Sequence, residues 1–183
     1  MLAIIFGVSG VGKSSLIQNL RNEFGWSSIP TYMTRSLRPG ETEKISVSEA
    51  DFAKMENENR FVCVNQIFGN KYGTPRKEIE IAIHDKESYW VLDFPILKID
   101  LLSAYKYVGF VVLPQDEDQL VNQVKRSDRA ERLQFILQDY KENYAKYHNQ
   151  RQEDASLIAV INAPGRLYET SQLIYSLASN LSL

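Results

Sequence analysis

Near its start this chain reads Leu2-Ala3-Ile4-Ile5-Phe6-Gly7-Val8-Ser9-Gly10-Val11-Gly12-Lys13-Ser14. The first five residues form a short continuous apolar run, which is typical of a buried parallel strand. The next eight match the pattern G-x-x-x-x-G-K-[ST] at every fixed position. Residues 15–20 then carry apolar side chains at helical spacing. A strand, a glycine-rich loop and a helix in this order predict an α/β fold built on a P-loop.

The chemistry of this loop indicates phosphate binding. Its glycines let the backbone curl so that successive N–H groups converge on phosphate oxygens, and the helix N-terminus adds partial positive charge. Lys13 can reach the β- and γ-phosphates of a nucleotide, and Ser14 can hold Mg²⁺. The alternative is a glycine-rich turn that binds nothing, which would require neither the lysine nor the hydroxyl. We therefore expect a nucleotide-phosphate site here.

Length and composition limit the classes of protein to consider. The 183 residues suffice for a single α/β domain with a small inserted subdomain, and 44% apolar with 24% charged residues is an ordinary globular balance. A net charge of -2 offers no general attraction to nucleic acid, so any anion site must be local. The single cysteine, Cys63, excludes an internal disulfide and agrees with a reducing compartment. With no apolar stretch long enough for a membrane span or a secretory signal, we expect a cytoplasmic protein.

The remaining strand and helix patterns alternate along most of the chain. Strand patterns follow at 28–32, 89–92, 107–113 and 157–161, and helical patterns at 117–126, 129–148 and 167–177. This alternation predicts a parallel sheet covered by helices on both faces, that is, a three-layer core.

Residues 34–84 interrupt the alternation. Ser48 is expected to cap a short helix that runs through Met55, and residues 61–64 are expected to form a strand. Residues 69–73 are interpreted as a turn, with Thr74 and Pro75 beginning a helix. We predict a small inserted α+β subdomain here.

Several polar residues are candidates for the site. Asp93 ends a buried strand, where a carboxylate can hold a metal beside a P-loop or can merely accept loop N–H groups. Arg35 and Arg38 lie in one loop and suit a doubly charged phosphate; alternatively they form a solvated basic loop that pairs with Glu41 and Glu43.

Two other groups are less specific. The hydroxyls of Tyr72 and Thr74 flank a glycine and could point at a ligand, or they could serve only a turn and a helix cap. Arg126, Arg129 and Arg132 lie between two helices and could neutralise a transferring phosphoryl group, or they could pair on a solvated helix face.

Taken together, these motifs resemble the guanylate kinase family. Residues 7–14 resemble that family's G-P-S-G-x-G-K-[ST], and residues 34–41 its T-R-x-x-R-x-G-E. Further similarities, in the same order, lie at 47–52 (V-S-x-x-x-F), 69–74 (G-x-x-Y-G-[ST]) and 91–93 (a strand ending in L-D). Ile161-Asn162 resembles the family's V-N-D. The resemblance extends over nearly the whole chain.

The resemblance implies an ATP-dependent kinase with one catalytic domain over residues 1–183, an acceptor-binding subdomain at 34–84 and a short lid at 126–132. ATP and Mg²⁺ would be the cofactors, and the partner a small phosphate acceptor such as a nucleoside monophosphate. The residues implied to bind ATP are Gly7, Ser9, Gly10, Val11, Gly12, Lys13, Ser14 and Ser15. Those implied to bind the acceptor are Thr31, Arg35, Arg38, Lys44, Tyr72 and Thr74. The implied catalytic residues are Lys13, Asp93, Arg126 and Arg132, and the metal ligands are Ser14 and Asp93.

The chain also departs from the family pattern. The family has acidic residues where this chain has Cys63 and Pro95, and those carboxylates contact the guanine edge. The family's D-Y pair is missing near Lys44, which would replace its phosphate-binding tyrosine. The lid segment is several residues shorter than usual. The phosphate-binding residues are thus present, whereas the base-reading carboxylates are absent.

Three hypotheses follow. The leading one is an ATP-dependent nucleoside monophosphate kinase. A second is a guanylate-kinase-like interaction module with little catalysis, although such a module would not need Lys13, Ser14 and Asp93. A third is an ATP- or GTP-hydrolysing switch, against which the arginine-rich loop and the lack of an obvious N-K-x-D motif both argue.

Overall fold

The computed structural model describes residues 1–126, 130–153 and 157–181. Its centre is a parallel sheet of five strands in the order β2-β7-β1-β8-β9. These strands are β1 (Leu2–Phe6), β2 (Ser27–Ser28), β7 (Trp90–Asp93), β8 (Val108–Leu113) and β9 (Leu157–Ile161). Every residue of β1 is buried, as its apolar run predicts for the central strand.

Helices cover both faces of this sheet. The helices are α1 (Lys13–Phe24), α2 (Glu49–Asn57), α3 (Arg76–His84), α4 (Glu117–Lys125), α5 (Leu133–Glu153) and α6 (Leu167–Leu181). Two short 3₁₀ segments lie at Ile96–Leu102 and Ala130–Arg132. On one face α1, α4, α6 and the first half of α5 pack against alternate residues of the central strands. On the other face α3, the first 3₁₀ segment and Tyr147 of α5 do so. The predicted three-layer α/β core is confirmed.

A second sheet of four strands stands beside the first, in the order β4-β3-β6-β5. Its strands are β3 (Thr31–Met33), β4 (Lys44–Ser46), β5 (Phe61–Ile67) and β6 (Asn70–Pro75). Helix α2 closes a small core of its own on this sheet, around Phe52, Met55 and Phe61. Ser48 caps α2 as predicted, because its hydroxyl accepts the Asp51 backbone N–H.

The strand expected at 28–32 is wrong as a single element. Ser27–Ser28 belongs to the parallel sheet and Thr31–Met33 to the second sheet. The backbone N–H of Ile29 still bonds Val91, whereas that of Thr31 bonds Glu43. Pro30 lies between them and has no N–H to donate, so the ladder breaks there and the chain changes sheets.

The turn expected at 69–73 is also wrong. The hairpin turn is Phe68–Gly69, and Asn70–Pro75 continues as a strand paired with β5. Gly73 misled the prediction because glycine is needed there for packing: a Cβ would lie 2.6 Å from the Phe61 ring. Thr74 therefore does not cap a helix; it pairs with Cys63 in the sheet, and Pro75 precedes the first residue of α3.

Of the expected lid, residues 127–129, including Arg129, lie outside the described residues, while Arg126 ends α4 and Arg132 ends the second 3₁₀ segment. Over the part of the chain that the structure describes, no helix has both the length and the apolarity needed to cross a membrane.

Candidate active site

The P-loop lies between the carboxyl end of β1 and the first turn of α1. Gly7, Gly10 and Gly12 have φ values of 141°, 92° and 98°, a region that residues with a side chain avoid. The Lys13 ammonium folds over the loop and donates to the carbonyl oxygens of Gly7 (2.7 Å) and Val8 (2.9 Å). The loop thus holds the lysine over the concave face where phosphate oxygens would lie.

Two buried amides support this loop from below. Asn162, directly after β9, donates its side-chain N–H to the carbonyl of Val11 at 2.8 Å. Gln119 on α4 in turn donates to the Asn162 carbonyl at 2.8 Å. A Cβ on Gly12 would collide with the Asn162 amide, so glycine is required at this position for packing as well as for φ. The loop shape is therefore fixed by β9 and α4 together.

Asp93 is the last residue of β7 and pairs with Ile5 of β1. Its carboxylate therefore lies beside the P-loop. Its Oδ1 lies 3.8 Å from the Lys13 ammonium, and the side chain is 26% exposed. Mg²⁺ prefers oxygen ligands and is commonly bound by one or two protein groups together with substrate phosphates. The Ser14 hydroxyl and the Asp93 carboxylate line one cavity and fit this pattern.

The arginine-rich loop is organised around one carboxylate. Arg35 donates to both oxygens of Glu41 from its two terminal nitrogens, and its Nε donates to the Tyr72 hydroxyl at 3.1 Å. The backbone N–H of Arg38 donates to Glu41 at 2.8 Å, and the Lys44 ammonium lies 3.9 Å from the same carboxylate. The pairing predicted as the solvated alternative is thus present, but the Arg35 and Glu41 side chains are only 14% and 11% exposed.

This arrangement shifts both pKa values. Partial burial alone would raise the pKa of Glu41, but the hydrogen bond from Arg35, that from the Arg38 backbone and the Lys44 charge outweigh it and lower it to about 2. The hydrogen bond with Glu41 raises the pKa of Arg35 further above its ordinary value. The Glu41 carboxylate is therefore ionised at neutral pH beside Arg35, with Arg38 at 3.8 Å and Lys44 at 3.9 Å. Glu43 places a second carboxylate 4.0 Å from the Lys44 ammonium.

Strands β5 and β6 form another wall of the site, and the alternation of side chains along them decides which residues face it. Tyr72 and Thr74 are two residues apart on β6 and share a face, and the pairing register puts Asn65 and Cys63 opposite them on β5. All four line the same cavity. Burial raises the pKa of the Cys63 thiol, against the opposing effect of the Lys98 charge, so a neutral thiol faces the ligand space.

One cavity of about 690 Å³ joins these parts. It is lined by nearly all of the residues predicted for the site: Gly7, Ser9, Gly10, Gly12, Lys13, Ser14, Ser15, Thr31, Arg35, Arg38, Lys44, Tyr72, Thr74, Asp93 and Arg132. Two predicted residues lie apart from it. The Val11 side chain is in the hydrophobic core, and Arg126 is exposed at the end of α4, away from the cavity lining.

Sequence reasoning missed the wall that α5 contributes. Asp139 and Asn143 line the same cavity as the P-loop, and the Asn143 amide donates to an Asp139 carboxylate oxygen at 2.8 Å. Burial raises the pKa of Asp139, although the nearby Lys13 charge opposes this. A signal was available, because the two polar residues lie three and seven positions after the buried Ile136 and share its helix face.

The amino-acid sequence is similar to those of known enzymes. A family model described as Guanylate kinase matches residues 1–160. A guanylate kinase from Clostridium tetani is 31% identical over 159 residues, which are 81% of this chain and 76% of that protein. One from Thermobifida fusca is 37% identical over 83 residues, which are 43% of this chain and 42% of that protein.

Among solved structures, a guanylate kinase from Anaplasma phagocytophilum superposes with a TM-score of 0.69. It shares 18% sequence identity, and the superposition covers 100% of this chain and 86% of that one. At this identity the likeness concerns the fold.

Proposed function

This chain belongs to the guanylate kinase family of nucleoside monophosphate kinases, and we propose that its cavity transfers the γ-phosphoryl group of ATP to the phosphate of a nucleoside monophosphate. One observation carries the proposal: the P-loop lysine and the arginine-rich loop line a single cavity of about 690 Å³. A donor phosphate and an acceptor phosphate would therefore face each other without intervening protein.

At the donor end the chain supplies fixed positive charge. The backbone N–H groups of the P-loop and the N-terminus of α1 would bind the β- and γ-phosphates. Lys13 would exchange its bonds to the loop carbonyls for bonds to phosphate oxygens, which are stronger because both partners are charged. Ser14 and Asp93 would hold Mg²⁺, which supplies further positive charge to the same phosphates when bound.

At the acceptor end Arg35, Arg38, Lys44 and the Tyr72 hydroxyl would hold the monophosphate. One of its oxygens would attack the γ-phosphorus of ATP while the bond from that phosphorus to the β–γ bridging oxygen breaks. The products are ADP and a nucleoside diphosphate. Arg132, on the α5 side of the cavity, would neutralise charge that develops on the transferring group.

Guanine selectivity is the part of the family activity that we propose to be weak in this chain. Guanine presents N1–H and N2–H₂ donors, for which carboxylates are the natural charge-assisted acceptors. The family positions for those carboxylates are Cys63 and Pro95, and both line the cavity. A neutral thiol is a poor acceptor and the proline side chain offers none, so these two positions lack the partners with which a guanine site rejects other bases.

An acceptor screen tests this proposal. The protein is incubated with ATP, Mg²⁺ and one of GMP, dGMP, AMP, CMP, UMP or dTMP, and ADP release is compared with an ATP-only control. We expect acceptor-dependent ADP release with less than the orders-of-magnitude preference for GMP that a dedicated guanine site provides. ATP binding without acceptor-dependent release would favour an interaction module instead. A large, exclusive GMP activity would contradict the selectivity argument and leave the kinase assignment standing.

A further inference from the structure

Two exposed phenylalanines meet across the mouth of the cavity. Phe68 forms the tip of the β5–β6 hairpin, and Phe135 lies in the first turn of α5. Their ring centroids are 4.8 Å apart in an edge-to-face arrangement, and the rings are 47% and 49% exposed. Both line the cavity, so this contact connects its acceptor wall with its α5 wall.

Phe68 also carries a cation on its ring face. The guanidinium carbon of Arg132 lies 4.4 Å from the Phe68 ring centroid, within cation–π range. Among the described residues, Arg132 also forms an ion pair with Glu131, at 3.4 Å from Nε, and that glutamate side chain is 68% exposed. The ring therefore holds the guanidinium at the cavity, whereas Glu131 draws it toward solvent.

The backbone at Phe68 is unfavourable for this residue type. Its φ is +50°, and it is followed by Gly69 at +76°, the signature of a tight two-residue hairpin turn. Asparagine or glycine would adopt this φ with less strain, and neither would offer a ring. Such outliers persist where the surroundings hold them and are concentrated at functional sites. Here the strained residue is also the one that contacts a residue of the proposed active site.

We infer that Phe68 is a positioning residue that orients the Arg132 guanidinium over the transferring phosphoryl group. Preorganised charge accelerates transfer because the cation need not be reoriented while negative charge develops. The inference rests on the proposed kinase function. Phe68 has no group that would take part in the chemistry, so its effect should appear in kcat and depend on Arg132.

Three substitutions distinguish the effect of the Phe68 ring from the effect of the turn conformation. Phe68→Asn suits the positive φ but removes the ring, Phe68→Leu keeps an apolar side chain without a π face, and Phe68→Tyr keeps the ring. We expect kcat to fall by about three- to thirty-fold in the Asn and Leu variants, with the KM for ATP unchanged within about twofold. The Tyr variant should retain wild-type kcat, and thermal unfolding should show that all three variants are folded at the assay temperature.

A double-substitution cycle tests whether Phe68 acts through Arg132. In an Arg132→Ala background, Phe68→Asn should lower kcat no further, because its target is gone. The inference would be overturned if Phe68→Asn lowered kcat equally in the wild-type background and in the Arg132→Ala background. It would also be overturned if Phe68→Asn kept the wild-type kcat, or if Phe68→Leu were as active as Phe68→Tyr.

A spectroscopic readout is independent of catalysis. The Arg132 Hε resonance, identified by its loss in Arg132→Ala, should be shifted upfield by the Phe68 ring current in the wild type and in Phe68→Tyr. It should return toward the ordinary arginine position in Phe68→Asn and Phe68→Leu. A resonance at the ordinary position in the wild type would overturn the contact whether or not the protein is active. An inactive wild type with a shifted resonance would instead count against the proposed function alone.

Discussion

Replacing Cys63 by glutamate should increase the preference of this protein for GMP over AMP. Cys63 is 4% exposed and lies opposite Thr74 on the cavity wall, and the family resemblance implies that a base-reading carboxylate would stand at this position. A charge-assisted hydrogen bond contributes about 1.5–3 kcal/mol, which corresponds to roughly ten- to a hundred-fold in binding. Desolvation of the new carboxylate offsets part of this, although the nearby Lys98 charge favours its ionised form. We therefore expect the ratio of kcat/KM for GMP to that for AMP to rise about tenfold.

The assay is steady-state kinetics with GMP and AMP, at saturating ATP, for the wild type and Cys63→Glu. Cys63→Gln is the matched control, because it has nearly the same shape and offers a neutral acceptor. Its ratio should rise by less than that of the glutamate variant, since neutral hydrogen bonds contribute about 0.5–1.5 kcal/mol. Thermal unfolding of each variant shows whether burial of the new group has disturbed the sheet.

An unchanged or lower GMP-to-AMP ratio in a folded Cys63→Glu protein would refute the reasoning. It would mean that the base does not approach β5 at this position. Equal increases in the glutamate and glutamine variants would refute the charge argument while keeping the position of the base.

Lys13→Ala should abolish phosphoryl transfer and leave the far-ultraviolet circular dichroism unchanged, because in the proposed reaction the ammonium binds the ATP phosphates. Transfer that survives within about tenfold would exclude that role. Arg35→Ala should raise the KM for the acceptor by roughly ten- to a hundred-fold, and Arg35→Lys should restore only part of this because it lacks the planar fork. An equal rise in the KM for ATP would contradict the assignment of Arg35 to the acceptor phosphate. Glu41 should stabilise the folded state above pH 4.5, and this contribution should be lost as the pH falls toward its folded pKa of about 2. Urea unfolding across that range should therefore lose stability more steeply in the wild type than in Glu41→Gln, and identical slopes would contradict the pairing.

The parallel core was predictable because its signals are local. Residues 2–6 and 157–161 were predicted as strands with the bounds the structure gives them, since each is a continuous apolar run that a glycine or a polar residue ends. The second sheet was harder to predict. Its strand Lys44–Ser46 is short, and most of its residues are half-buried or exposed, so it has no apolar run to reveal it. Gly73 was taken for a turn because its real constraint, the Phe61 ring, is twelve residues away.

The site was predictable in part for the same reason. The P-loop and the arginine-rich loop are contiguous motifs, and the structure brings both to one cavity. The pairing of Arg35 and Arg38 with Glu41 was predicted only as a solvated alternative. That Lys44 approaches the same carboxylate, and that Arg35 and Glu41 are largely buried, depends on how the loop folds back on itself, which spacing does not reveal. The contact between Phe68 and Arg132 joins residues 64 positions apart, and no local pattern predicts it.

The central claim is that phosphoryl transfer occurs from ATP to the phosphate oxygen of the acceptor, and isotopic labelling tests it most directly. The protein is given [γ-¹⁸O]ATP, Mg²⁺ and the most active monophosphate of the screen, with Lys13→Ala as control, and the products are fragmented by tandem mass spectrometry. The account predicts a nucleoside diphosphate whose terminal phosphate carries the label, formed in equal amount to ADP and absent from the control. Label recovered only in inorganic phosphate, or in a product whose two phosphates are not linked to each other, would contradict it.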